Sequence, residues 1–141
     1  LAEKYFLSRG KPVVSTGLPY LLLPLASGLE QARILVTDYE WRLARIGAKF
    51  VYVLDVNAVE GRTWDNAGMA EDVATGSAAG PVGAYLYKHN RFSPTQEILL
   101  RQGRFVGRGS EISVRKDETS GNMLVTGQVR LLVRGESLQG I

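Results

Sequence analysis

AEDVATGSAAGPVGAYLYKH, residues 70–89, is the stretch from which the rest of the chain is best read. From Ala78 to Tyr87 nearly every residue is small or apolar, and no polar stripe runs along the segment. The spacing up to Lys88 suits a helix. A helix that is apolar all round must be covered on all sides. In a chain of 141 residues that cover has to be strands wrapped around it. Gly76, Gly80 and Gly83 each lower the intrinsic helix stability by up to ~1 kcal/mol, and they let neighbouring backbone come close. Pro81 fits only if the helix begins near residues 75–80, where its missing N–H costs at most the first intrahelical bond.

The flanks supply the strands. Val13 and Val14, then residues 20–25, read as extended segments, with Pro19 and Pro24 suited to strand ends or edges because proline donates nothing to a ladder. Ser27-Gly28 signals a turn. Asp38 is placed to cap a helix over 39–46, whose Tyr39, Leu43 and Ile46 share one face, and Gly47 stops it. Residues 50–56, FVYVLDV, are β-branched and aromatic like a buried strand, and 59–64 is a further candidate. Beyond the apolar helix, strands are expected over 97–102, 111–115, 123–126 and 128–133, with turns at Gly103, Gly107-Arg108-Gly109, Ser120-Gly121-Asn122 and Gly135. Residues 1–11 read as a short helix or an irregular lead-in. The expectation is one α+β domain over 1–141, a curved and mostly antiparallel sheet around a central buried helix.

Composition narrows the function classes. With 45% hydrophobic and 22% charged residues the chain is an ordinary globular one. It has no cysteine, which removes thiol nucleophiles, Cys-ligated metals and thiol redox switches. One histidine, His89, is too few for a usual zinc site, so no metal is expected. Seventeen basic against fourteen acidic residues give a net charge of +3 without a dense block, a weak pull on nucleic acid or membrane. Residues 17–29, the longest apolar run, carry Pro19 and Pro24 and fall short of the ~20 apolar residues of a membrane span. No signal peptide is legible, because LAEKYFLSRGK has charges where an apolar core belongs. A cytoplasmic setting is the default, and Leu1 in place of methionine suggests a fragment or a processed product.

The chemistry concentrates where the apolar helix begins. The first N–H groups of a helix lack internal partners, and with the macrodipole they favour an anion. Thr75 or Ser77 can cap, and Gly76 lets a ligand reach the backbone. A small carboxylate or phosphate suits such a place; a plain helix start capped by Asp72 or Thr75 suits it too. Neither phosphate-binding glycine pattern, Gly-x4-Gly-Lys or Gly-x-Gly-x-x-Gly after a strand, is present. Ser77, His89 and Asp72 do not form a hydrolase triad, since twelve helical residues separate Ser77 from His89 by roughly 18 Å and a nucleophile must lie within ~3 Å of its base. His89 instead suits the negative end of the helix. Adjacent Glu71 and Asp72 point apart, and Asp72 is the better candidate because it is nearer the helix start. Arg101, Arg104 and Arg108 with Phe105 read as a strand and turn with a solvated face rather than a nucleic-acid contact.

The run Glu71-Asp72-Val73-Ala74-Thr75-Gly76-Ser77-Ala78-Ala79-Gly80-Pro81 resembles the EDPATGSAAGP signature of the phenazine-biosynthesis PhzF-like family, in the diaminopimelate-epimerase-like superfamily. Ser15-Thr16-Gly17-Leu18-Pro19 is similar to the STGxP element that opens that family's second half. Gln102-Gly103 with Gly107-Arg108-Gly109-Ser110 resembles its QG…GRPS segment, and Val125-Thr126-Gly127 with Gly135 its closing strands. The resemblance implies the C-terminal half of a chain about twice as long, with two similar domains and a cleft between them into which both central helices point their N-termini. It further implies an isomerase or epimerase that moves protons on a small carboxylate substrate without cofactor or metal.

Residue by residue, Asp72 matches the family's active-site aspartate, Gly76 and Ser77 match the groups that hold the substrate carboxylate, and Thr75 neighbours them in the same loop. The family's glutamate acid/base and its histidine belong to the other half, so the isolated chain is expected to be inactive. Val73 stands where the family has proline, and Gly109 where GRPS has its own, both of which relax the loop backbone. Two other readings stay open: a non-catalytic module that binds a small anion or a protein, as a possible homodimer, and a nucleic-acid binder.

Overall fold

The computed structural model describes residues 13–136; the expected lead-in over 1–11 lies outside them. Seven strands run in sequence order across one sheet: β1 (Val13–Ser15), β2 (Pro19–Leu25), β3 (Phe50–Asp55), β4 (Glu60–Arg62), β5 (Ile98–Gln102), β6 (Ser110–Lys116) and β7 (Met123–Thr126). β2–β3 and β4–β5 pair in parallel, and the other four neighbours are antiparallel. Among the described residues β1 pairs with Pro19–Leu21 and leaves one side of β2 without a partner at Pro24, where a residue without N–H loses nothing.

Two α-helices serve the two faces. α1 (Tyr39–Arg45) lies in the β2–β3 crossover and α2 (Gly76–Lys88) in the β4–β5 crossover. α2 touches β1 and β2 at one end of the sheet and β6 and β7 at the other, so the sheet curls round it as a half-barrel. The period of two in the strands separates the faces. Tyr20, Leu22, Tyr52 and Leu54 turn inward to Ala78, Ala79, Val82 and Leu86 of α2. Leu21, Val51 and Val53 turn outward to Tyr39 and Leu43 of α1.

The glycines of α2 set how closely it can lie. A Cβ on Gly83 would come 2.5 Å from Val114 Cγ1, and one on Gly80 would run into Thr16 Oγ1. α2 begins at Gly76, within the 75–80 range that Pro81 requires, and Pro81 is buried. Eight of its residues are buried, whereas Gly76, Ser77 and Lys88 are exposed and Ala84 and Tyr85 half-buried. Among the described residues the helix is therefore not enclosed on every side. α1 ends at Arg45, two residues before Gly47, which adopts φ 73°, but Asp38 makes no capping bond. It pairs instead with Arg42 at 2.7 Å.

The strand expected over 128–133 is absent. Residues 127–136 have no regular structure, and Val129, Leu131, Leu132 and Val133 are 74–94% exposed. β7 is the last strand in the sheet order, and β propensity is realised only where a neighbour supplies ladder bonds.

Candidate active site

β4 ends at Arg62 and α2 starts at Gly76; the loop between them carries the predicted site residues. Its first anchor is Glu71, whose carboxylate takes two hydrogen bonds from the Arg62 guanidinium, 2.9 Å from Nε and 2.6 Å from Nη2. Both side chains are more than nine-tenths buried. Arg62 Nη1 also donates to the Leu29, Glu30 and Ala32 carbonyls at 3.1–3.4 Å, and the guanidinium sits between the rings of Trp64 and Phe105. Every side of this charge is thus compensated, which is the condition for holding an ion pair out of water. The Glu71 carboxylate is thus held by Arg62, while that of Asp72 is held by Thr75; both residues line the cleft described below.

The second anchor is Gln102, at the end of β5 and 1% exposed. Its Oε1 accepts from Tyr52 Oη at 3.0 Å and from the Thr75 N–H at 3.3 Å. Its Nε2 donates to the Asp72 carbonyl at 2.8 Å and to Thr75 Oγ1 at 2.9 Å. One buried amide therefore has all its hydrogen-bonding positions occupied and holds both ends of the Asp72–Thr75 segment. Thr75 Oγ1 in turn donates to Asp72 Oδ2 at 2.6 Å, and the Asp72 N–H donates to the Thr63 carbonyl at 3.0 Å. Gly103 follows at φ 84°, and a Cβ there would collide with the Arg108 and Val73 carbonyls. Ser110 Oγ closes the support with a 2.7 Å bond to the Val73 carbonyl.

The result is a fixed but open helix tip. Thr75 is the residue before α2, and its side chain makes no capping bond, being spent on Asp72 and Gln102. The first bond of the helix runs from the Ala78 N–H to the Thr75 carbonyl at 3.1 Å, so the N–H groups of Gly76 and Ser77 precede it. Asp72, Gly76 and Ser77 are exposed and Thr75 is buried; a Cβ on Gly76 would meet nothing within 4 Å. Ser77 Oγ lies 2.8 Å from Tyr20 Oη. A cleft of about 460 Å³ joins Asp72, Thr75, Ser77, Tyr20, Phe50 and Trp64. Burial pushes the Tyr20 phenol above its usual range, the Ser77 hydrogen bond pulls it back in part, and the Asp72 charge adds to the rise. Tyr20 therefore stays protonated at neutral pH and can donate.

All four predicted residues, Asp72, Thr75, Gly76 and Ser77, meet at this tip. Sequence reasoning missed Tyr20, whose place on the inward-facing strand positions was its only signal. It also gave Gln102 no role beyond its motif. His89 caps the far end of α2, its N–H donating to the Tyr85 carbonyl at 3.0 Å and its ring 4.3 Å from that of Tyr85. Among the described residues no group of three or more His, Asp or Glu side chains is placed to hold a metal ion, and no helix is long and apolar enough to cross a membrane.

The fold has counterparts. Among solved structures, one described as a predicted epimerase from Pseudomonas aeruginosa superposes with a TM-score of 0.81 at 49% identity, over 96% of this chain and 48% of its own. A phenazine biosynthesis protein of the PhzF family from Bacillus anthracis shares the fold, with a TM-score of 0.61 at 23% identity over 79% of this chain and 42% of its own. The trans-2,3-dihydro-3-hydroxyanthranilate isomerase of Pseudomonas aeruginosa is 42% identical over 50 residues, 36% of this chain and 18% of that protein. The uncharacterized isomerase YddE of Salmonella typhimurium is 33% identical over 87 residues, 57% of this chain and 29% of that one. The chain thus spans less than half the length of these relatives. A family model, that of phenazine biosynthesis-like proteins, matches residues 11–135. By that match over most of its length, the chain belongs to the phenazine biosynthesis-like (PhzC-PhzF) family.

Proposed function

We propose that this chain is the C-terminal half of a PhzF-like isomerase and contributes the carboxylate-binding side of its active site. The observation that carries the reading is the α2 tip, where the Gly76 and Ser77 N–H groups precede the first helical bond and Ser77 lines an open cleft together with Asp72. A substrate carboxylate there receives backbone N–H bonds and the helix dipole. Ser77 Oγ, itself linked to Tyr20, adds a hydroxyl donor. Fixing one end of the substrate in this way sets the carbon acid in a single orientation.

Asp72 orients the substrate or assists proton transfer beside that carboxylate. Its rigid hold on Thr75 and Gln102 keeps its position constant through the reaction. The principal acid/base comes from a companion half, so the 141-residue chain alone binds but does not turn over, and no cofactor is required. The same reading makes a small carboxylate the substrate class, the companion half the necessary partner and the cytoplasm the setting. A homodimer is compatible with it.

Anthranilate titrated into the labelled chain tests the binding claim. It should shift the Gly76 and Ser77 amide resonances saturably, and anthranilamide should not. Equal shifts from both ligands would sink the carboxylate site. Turnover of trans-2,3-dihydro-3-hydroxyanthranilate by the chain alone would sink the claim that the main acid/base lies elsewhere.

A further inference from the structure

We propose that Gln102 is a positioning residue for Asp72: it sets the direction of the Thr75 hydroxyl hydrogen, which reserves Asp72 Oδ2 as an acceptor and leaves Oδ1 as the oxygen through which Asp72 gives or takes a proton. The inference rests on the reading of Asp72 as a substrate-facing group and adds to it the atom that acts. Two backbone groups of fixed polarity settle the Gln102 amide. The Thr75 N–H can only donate, so the side-chain atom 3.3 Å from it is Oε1. The Asp72 carbonyl can only accept, so the atom 2.8 Å from it is Nε2. A flipped amide would set donor against donor at one end and acceptor against acceptor at the other. Gln102 is 1% exposed, so water does not relieve such a mismatch.

The remaining hydrogens then follow. Nε2 donates to Thr75 Oγ1 at 2.9 Å. A threonine hydroxyl has a single hydrogen, and Thr75 sends it to Asp72 Oδ2 at 2.6 Å. Oε1 offers only lone pairs, so Tyr52 Oη donates to it at 3.0 Å. A proton arriving on Oδ2 would meet the Thr75 hydrogen. Turning the hydroxyl round would aim that hydrogen at Nε2, which has no lone pair. Oδ1 takes only a long bond, from the Ala74 N–H at 3.5 Å, and Asp72 is exposed and lines the cleft. Oδ1 therefore carries a proton without disturbing the brace. The Tyr20 and Tyr52 phenols feel the Asp72 charge, but burial pushes both above their usual range, so neither loses its hydrogen when Asp72 titrates.

Nuclear magnetic resonance of the labelled full chain tests this without ligand, so it can fail while the carboxylate site stands, and the reverse. The Thr75 hydroxyl hydrogen should show a coupling across its hydrogen bond to Asp72 Cγ and a nuclear Overhauser effect to the Gln102 side-chain amide. Both should persist when acid protonates Asp72, followed by its own Cγ resonance and apart from the Cδ of neighbouring Glu71. At neutral pH, Gln102→Met should lose the coupling. Thr75→Ser, which keeps the hydroxyl, and Tyr52→Phe, which keeps both backbone constraints on the amide, should retain it. Loss of the coupling in step with Asp72 protonation would place the proton on Oδ2 and overturn the proposal. So would an undiminished coupling in folded Gln102→Met. Should that variant fail to fold, the acid titration of the parent chain decides by itself.

Discussion

The two faces of strands β2 and β3 are built from alternate residues of the same short segments, yet they pack in opposite ways. On the inner face Tyr20, Leu22, Tyr52 and Leu54 meet the alanines and glycines of α2, and the polar groups that enter, Gln102 and Thr75, are hydrogen-bonded. On the outer face Leu21, Val51 and Val53 meet α1, but a cavity remains beside Tyr39. The inner face is tight because small helix residues let backbones approach; the outer face covers its strands with a short helix and an irregular segment that cannot fill the same volume. Rigidity accumulates on the side where the proposed chemistry sits.

Breaking the Arg62–Glu71 pair is expected to have the largest effect. Glu71→Ala leaves a buried guanidinium without its counterion and should cost about 3–5 kcal/mol, measured by denaturant unfolding; a loss under about 1 kcal/mol would mean that water reaches Arg62. Next, adjacent leucines test the faces directly. Leu22→Ala, at a fully buried inward position, should cost about 2–5 kcal/mol. Leu23→Ala, half-buried beside the cavity, should cost about 1 kcal/mol. Equal losses would erase the contrast between the faces.

Gly83→Ala pushes a methyl group against Val114 and should cost about 1–3 kcal/mol by overpacking, whereas Gly76→Ala, with open space around it, should change stability by less than about 1 kcal/mol. The smallest effect is electrostatic. The Arg104 hydrogen bond holds the Glu60 carboxyl below its usual range, against an opposing push from burial. A depressed folded-state value means that the contribution is present above the unfolded value near 4.3 and is lost as pH falls through the folded one. Glu60→Gln should therefore flatten the stability curve below about pH 4 and leave its slope at neutral pH unchanged. An unaltered acid limb would show that the exposed Arg104 partner contributes nothing.

Much of the site was legible because it is local. Asp72, Thr75, Gly76 and Ser77 lie within six residues, so a helix start with its capping residues brings them together whatever surrounds it. Tyr20 and Gln102 reach the same place from β2 and β5, and local periodicity says which face they take but not what they meet. The sequence already set Asp72 above Glu71 as the candidate, and the pairing of Glu71 with Arg62 across the loop supplies a partner that only the fold brings near. The 128–133 segment failed in the other direction, since its β-branched pattern was read correctly as strand propensity but no neighbouring strand among the described residues takes up its ladder.

By itself the sequence determined the apolar helix, its glycine-lined approach, the strand segments on either side and the polar tip, because these follow from residue size, periodicity and the unpaired N–H groups of any helix start. Only the tertiary structure decided that the sheet runs in chain order with two parallel pairs, that a single buried glutamine braces the Asp72 loop, and that the outer face retains a cavity. Those depend on which strands become neighbours and how completely two surfaces fill the space between them, and neither is written in any one segment.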